Sequence, residues 1–359
     1  MFLRKINLVN FKNHETRQFS FEKRINCIIG NNGTGKTNLL DAIYYLCLTK
    51  SYFNSIDQQN ILFDRDFFRL EGEFEKEQAK YHLVYKLPAG KKKEVIINDT
   101  PLTRLSDHIG NFPAIIISPD DSQLIMGSSE ERRKFIDTTI SQVNHDYLNQ
   151  LILYNKILAQ RNAALKKFAE TRRTDRTLIE SYNQQLVPLG IKIHEARKIV
   201  TEKLSPMFQT FYQQVSLERE KTRFVYISQL NEKPFDELLK DNFERDLMLQ
   251  RTDGGIHKDE LEFYIGANKL KKFGSQGQQK SFIIAIKFAQ YHFIKVNKNF
   301  APVLLIDDIF DKLDQDRSRK LVELIAGDEF EQVFITDTDE KHISEALYDK
   351  EELFSIIRF

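Results

Sequence analysis

Apolar and polar positions alternate with strand period at the start of the chain. Phe2, Leu3, Ile6 and Leu8 set this pattern over residues 2–9, it continues through Asn10-Phe11-Lys12-Asn13, and residues 16–21 alternate again. Residues 25–29 form a continuous apolar run, the mark of a fully buried strand. Leu39, Leu40, Ile43, Tyr44 and Leu46 then recur at helical spacing and predict a helix that runs out near Leu48. Residues 67–74, 81–87 and 95–97 read as antiparallel strands with a turn at Pro88-Ala89-Gly90, and 112–118 as another buried strand.

From about 129 to 211 the pattern becomes helical. One helix is expected over 147–169, with Leu151, Tyr154, Leu158 and Leu165 on a face, and a second over 176–211. Tyr182, Leu186, Leu189, Ile193, Ala196, Val200, Leu204, Met207 and Phe211 form a heptad-like seam on the second, which calls for a facing helix. Pro188 is expected to kink this helix, and Pro206 to kink or end it. A pair of ~25-residue helices at ~1.5 Å per residue projects roughly 35–40 Å, a short arm. Beyond it, strands are expected at 224–227, 261–265, 303–306, 332–336 and 353–357, and helices at 234–250, 275–295 and 314–326. Strands and helices at both ends around a helical insertion imply one α/β domain built from two chain segments.

Composition adds bounds. The 359 residues are 41% hydrophobic and 29% charged, as in a globular protein, so any nucleic-acid contact must come from local patches because the net charge is only +1. Two cysteines give no disulfide framework and suit a reducing compartment. Arg4, Lys5 and Asn7 interrupt any signal-peptide pattern, and no stretch reaches the ~18 apolar residues of a membrane span, so a cytoplasmic protein is expected.

Three constellations carry chemistry. The apolar run leads into Gly30-Asn31-Asn32-Gly33-Thr34-Gly35-Lys36-Thr37 and a helix opening at Asn38, the P-loop pattern in its strand–loop–helix context. Its glycines let successive N–H groups face phosphate oxygens, Lys36 supplies a charge for the β- and γ-phosphates, and Thr37 is placed to ligate Mg²⁺. The alternative is a glycine-rich turn that binds nothing. Residues 302–308 are an apolar strand closing on Asp307-Asp308, where Asp307 fits as the Mg²⁺ carboxylate and Asp308 as the group that orients or deprotonates a water. Between the two lies Ser275-Gln276-Gly277-Gln278 at a helix start, by itself a cap and in this company a second anion site.

In this order the three resemble the ATP-binding-cassette ATPases, specifically the DNA-repair branch with SMC-like heads. The pair Asp307-Asp308, in place of Asp-Glu, points to the RecF family. Further segments resemble motifs of that family: residues 8–13 its L-x-[ND]-F-R-N, residues 121–137 its L-x-x-G-x-P-x-x-R-R-x-F-L-D, residues 158–166 its K-Q-R-N-A-x-L-K, and residues 252–261 its T-x-x-G-P-H-R-D-D-L. The resemblance spans essentially the whole chain. It implies an ATPase head over 1–125 and 223–359 with a helical arm over 126–222. It implies a head-to-head homodimer closed by ATP, with Ser275–Gln278 of one copy against the γ-phosphate held by the other, and Lys12 near phosphate. Duplex or gapped DNA bound through phosphates, slow ATP hydrolysis stimulated by DNA, and recombinase loading with RecR and RecO in the DNA-damage response complete the implied picture.

Several residues depart from the family pattern or stay open. Lys12 stands where Arg is usual, Phe53 where Arg is frequent, and Asp311-Lys312-Leu313-Asp314 where S-E-L-D is commoner; Thr336-Asp337-Thr338 replaces the switch histidine of transporters. His257 reads equally as a turn residue or a sensor of nucleotide or DNA, and Arg161 as an internal packing or salt-bridge residue, with a ligand contact the alternative. The basic runs Lys91-Lys92-Lys93 and Lys166, Lys167, Arg172, Arg173, Arg176 read as solvated surfaces, with DNA contact the alternative. Two rival classes are weaker. A transporter ATPase subunit conflicts with the arm and the missing histidine, and a structural SMC-type scaffold with the arm's shortness.

Overall fold

The computed structural model describes residues 1–216, 221–310, 315–339 and 352–359. The departure at Asp311-Lys312-Leu313-Asp314 lies outside them. The chain divides into two compact units, one formed by Met1–Ser122, Met207–Arg219 and Ser275–Phe359, the other by Gln123–Pro206 and Glu220–Gly274.

In the first unit, β1 (Phe2–Phe11), β2 (His14–Ser20), β4 (Phe67–Lys76), β5 (Ala79–Pro88), β6 (Glu94–Ile97) and β7 (Thr100–Pro101) form an antiparallel sheet ordered β2-β1-β4-β5-β6-β7. Along β1 alternation buries Ile6 and Leu8, and a register shift between Leu3 and Lys5 brings Leu3 into the core as well. A parallel sheet is ordered β14-β3-β13-β12-β8, from β3 (Ile25–Ile29), β8 (Ala114–Ile117), β12 (Val303–Asp307), β13 (Gln332–Asp337) and β14 (Phe354–Arg358). Residues of β3, β8, β12 and β13 are buried throughout, which is why these strands read as continuous apolar runs. The helix α1 (Lys36–Leu48) packs against strands of both sheets, so Leu39, Leu40, Ile43 and Leu46 are fully enclosed. Gly72 on β4 makes this approach feasible, since a Cβ there would lie 2.8 Å from Leu46 Cδ1. The same unit holds α9 (Gln276–Lys298) and α10 (Gln315–Ala326).

The second unit contains α3 (Ser129–Ser141), α4 (His145–Thr171), most of α5 (Arg176–Val215), α6 (Phe235–Asp241) and α7 (Phe243–Leu249). A small sheet ordered β11-β10-β9 joins them, from β9 (Thr222–Ile227), β10 (Glu260–Ile265) and β11 (Asn268–Lys269). The segment after 222, expected in the head, is thus grouped with the helices up to Gly274. Ion pairs give the reason: the buried pairs Arg161–Asp246 and Arg197–Asp259, each at 2.7 Å, and the partly exposed Arg132–Glu260 pair at 2.6 Å. Arg161 is therefore internal, as its helix position suggested.

Three local expectations change. The single helix over 234–250 is two, divided at Asn242, whose φ of −82° and ψ of −1° lie in the bridge region. The buried line of α5 runs through Ile179, Asn183, Leu186, Gly190, Ile193, Arg197, Val200 and Leu204, so Gly190 and Arg197 take the places expected of Leu189 and Ala196. A seam read from hydrophobicity cannot see a buried arginine that Asp137 and Asp259 neutralise. Finally, α5 passes Pro188 and Pro206 and ends at Val215. Its last turns bury Phe208, Phe211, Tyr212 and Val215. Burying each large apolar side chain contributes roughly 1.5–3 kcal/mol, which outweighs the ~3 kcal/mol cost of one interior proline.

Candidate nucleotide-binding site

The strand β3 delivers the chain at Gly30 into a loop that closes on α1. Gly33 has φ 83° and Gly35 φ 106°, left-handed conformations that favour glycine. Gly35 caps α1 without a side-chain hydrogen bond, so the first helical N–H groups face the loop's interior. The Lys36 ammonium folds back over the loop and donates to Gly30 O at 2.6 Å and Asn31 O at 3.0 Å. Thr34 Oγ1 also donates to Asn31 O, at 2.9 Å.

The loop is joined to the end of β12 by side chains. Thr37 Oγ1 donates to the Asp307 carboxylate at 2.9 and 3.0 Å, and Thr336 Oγ1, at the end of β13, donates to Asp307 Oδ1 at 2.7 Å. The Asp308 N–H in turn donates to Thr336 Oγ1 at 3.0 Å. The three strands end side by side in the parallel sheet, which is what converges these groups. Asn32, Gly33, Gly35, Lys36, Thr37, Asn38, Asp307, Asp308 and Thr336 line a cleft of about 220 Å³.

The two acids differ. Asp307 is buried, and burial raises its carboxyl above the ordinary 3.8; hydrogen bonds from Thr336 and Thr37 oppose the rise, Asp308 adds to it and Lys36 opposes it. Asp308 is half-buried at the cleft wall, with φ 47°. The Thr37 hydroxyl and Asp307 carboxylate are hard oxygen donors that suit Mg²⁺, an ion bound through one or two carboxylates plus water and phosphate oxygens. Among the described residues no group of three His, Cys, Asp or Glu side chains converges into a complete protein cage.

Most sequence-predicted residues meet here. Gly30, Asn31 and Thr34 shape the loop, while the remainder of 32–38 and both acids line the cleft. Lys12 does not line it: its ammonium pairs with the buried Asp41 on α1 at 2.6 Å and lies 5.2 Å from the centre of the Phe53 ring. Ser275, Gln276, Gly277 and Gln278 lie outside the lining of the same chain's cleft. They open α9 with a capping box, in which Gln278 N donates to Ser275 Oγ at 3.2 Å and Ser275 N to Gln278 Oε1 at 2.7 Å. At Gly277 a Cβ would lie 2.4 Å from an Arg317 guanidinium nitrogen, so glycine lets that side chain lie across the helix start.

Three contributors escaped sequence reasoning. Thr336 was noted only for what it replaces. Asn13 and His14, at the β1–β2 turn, reach the loop: Asn38 Nδ2 donates to Asn13 Oδ1 at 2.7 Å, and His14 Nε2 lies 3.1 Å from Gly35 O.

His257 packs inside the second unit, with Nδ1 3.0 Å from Tyr154 OH and Nε2 3.0 Å from Thr252 O. Burial lowers its pKa to about 4, partly offset by the Thr252 contact and reinforced by Lys258, Arg133 and Arg161. The imidazole is a neutral internal group.

The family described as RecF/RecN/SMC N terminal domain matches residues 2–358. The DNA replication and repair protein RecF of Flavobacterium johnsoniae is 46% identical over 338 residues, 94% of this chain and 94% of that protein. The DNA replication and repair protein RecF of Cytophaga hutchinsonii is 43% identical over 337 residues, 94% and 89% of the two chains. The solved structure of the recombination mediator protein RecF-ATP in the RecFOR pathway superposes with a TM-score of 0.87 at 27% identity, covering 94% of this chain and 92% of that one. The SMC head bound to the C-winged helix domain of ScpA shares the fold, with a TM-score of 0.56 at 18% identity over 96% and 92% of the chains.

Proposed function

Because the chain belongs to the RecF/RecN/SMC N-terminal-domain family, and within it to the RecF proteins of DNA replication and repair, we propose that it is an ATP-gated DNA clamp. The observation that carries this reading is the hydrogen-bonded chain Thr37–Asp307–Thr336, which joins the phosphate loop to the acidic end of β12. The amides of the loop and the start of α1 receive the β- and γ-phosphates, and Lys36 exchanges the Gly30 and Asn31 carbonyls for phosphate oxygens. Thr37 and Asp307 would hold Mg²⁺, which supplies charge neutralisation on the β- and γ-oxygens.

Asp308 orients the attacking water and takes up its proton as the bond from the γ-phosphorus to the bridging oxygen breaks and ADP departs. The capped start of α9 offers amide groups to the γ-phosphate held by a second copy, so ATP closes a homodimer. DNA is held mainly through its phosphates and stimulates hydrolysis, which reopens the clamp. RecR and RecO act with it in loading recombinase. The head comprises the first unit, and the second is the helical arm with its small sheet.

The test is size-exclusion chromatography with ADP, ATP, and ATP plus gapped or duplex DNA. A dimer that needs ATP and is strengthened by DNA is expected. Lys36→Met should remain monomeric in all conditions; a variant that dimerises with ATP as the wild type does sinks the mechanism.

A further inference from the structure

We propose that His14 is a positioning residue for nucleotide binding, one that fixes the Gly35–Lys36 peptide so that the Lys36 amide faces the phosphates. The inference rests on the reading that the cleft takes ATP. In a trans peptide the carbonyl and the following N–H point in opposite directions, and the described chain contains no cis bond. A side chain that holds the Gly35 carbonyl on one side therefore aims the Lys36 N–H to the other.

His14 is placed to do this. It is 3% exposed, and its Nε2 lies 3.1 Å from Gly35 O. Burial lowers its pKa below the ordinary 6.5, a shift the Gly35 contact opposes and Arg17 reinforces. A neutral ring has one N–H, and facing a carbonyl oxygen that proton must sit on Nε2. The ring is held from behind by Phe359, edge to face at 5.9 Å, which stacks on Phe19 at 5.3 Å. Phe359 N–H donates to Ile29 O at 2.9 Å, so the support is itself tied to the P-loop strand.

The Gly35 carbonyl also accepts the Leu39 N–H at 3.0 Å, the first bond of α1, and the ring gives it a second donor. Glycine accepts either sign of φ, and a flip of the Gly35–Lys36 peptide would turn a carbonyl dipole toward the phosphates. Gly35 sits at φ 106°, and a Cβ there would lie 2.6 Å from His14 Cε1. The glycine thus supplies both the left-handed turn and the room for the ring, and the ring reinforces the Leu39 bond in restraining the freedom the glycine introduces.

The experiment measures ATP and ADP affinity of the full chain by calorimetry, with thermal unfolding alongside. His14→Phe keeps a ring and removes the donor, and should weaken both nucleotides roughly tenfold, the size of one hydrogen bond. His14→Gln can donate from a similar place and should stay within about threefold of wild type. Wild-type affinity in His14→Phe, or equal losses in the two variants at unchanged unfolding temperature, overturns the proposal. Nitrogen-15 NMR of wild-type imidazoles gives a second reading should either variant fail to fold: Nε2–H is expected for His14, and Nδ1–H overturns the assignment. A wild type that binds no ATP, or Lys36→Met binding as tightly as wild type, sinks the ATP reading itself and is thereby told apart.

Discussion

Replacing Asp307 by asparagine should stabilise the nucleotide-free protein while removing its action on ATP. In the unfolded chain the carboxyl titrates near its ordinary 3.8, and in the folded protein burial raises that value. Between the two values the folded state holds a proton that the unfolded state has released. Stability therefore falls as pH rises through this window, and above the folded value the whole cost is present. An amide cannot ionise, and so escapes it. The hydrogen bonds survive, because Thr37 and Thr336 both reach Oδ1, at 2.9 and 2.7 Å. The repulsion from Asp308 also disappears. Relief of this kind is worth about 1 kcal/mol, or roughly 1–2 °C in unfolding temperature for a chain of this length.

The assay is thermal and urea unfolding of Asp307→Asn and wild type between pH 4.5 and 7.5, with and without Mg²⁺ and ATP. The gap in favour of the variant should be full at neutral pH and narrow toward acid, as wild-type Asp307 takes up its proton. At a hundredfold excess of ligand over Kd the wild type gains about 2.7 kcal/mol from binding, and the variant far less. A variant less stable than wild type at pH 7, or a gap that does not change with pH, refutes the reasoning.

Asp308→Asn should retain the ATP-dependent dimer and lose about 100-fold or more in kcat, checked by phosphate release and chromatography together. Arg161→Met should cost about 3–5 kcal/mol in urea unfolding, because it strands the buried Asp246 carboxylate. His257, held at about 4 against an ordinary 6.5, contributes stability that is complete above 6.5 and lost as pH falls toward 4. His257→Gln should flatten that part of the stability–pH curve, measured as the difference from wild type.

The site was legible where its chemistry is local. The strand predicted over 25–29 and the helix ending at Leu48 are the observed ones, since eight consecutive loop residues and their flanks specify the turn. The segment expected in the head from 223 onward is grouped by its contacts with the helical unit up to Gly274. Its allegiance depends on Arg132–Glu260 and Arg161–Asp246, pairs 128 and 85 positions apart, which no local pattern announces. Lys12 illustrates the same limit. The resemblance places Lys12 near phosphate, and in this structure its ammonium pairs with Asp41, a buried residue of α1, at 2.6 Å.

Thr336 shows how a replacement becomes a part. At the end of β13 its hydroxyl donates to Asp307 and accepts from the Asp308 N–H, so one side chain bridges two consecutive acids. Asp307 is still in the ladder, opposite Thr336 in the register of β12 and β13, and is buried there. One residue later the backbone has turned to φ 47°, and Asp308 stands at the cleft wall. Adjacent carboxylates thus acquire different environments without a histidine between them and the nucleotide. The buried acid, held by two hydroxyls, suits a metal, while the half-buried one at the cleft wall suits a water. A hydroxyl at 336 can fix this division but cannot shuttle a proton as imidazole does at neutral pH, which is a physical reason to expect tight nucleotide holding and slow turnover from this arrangement.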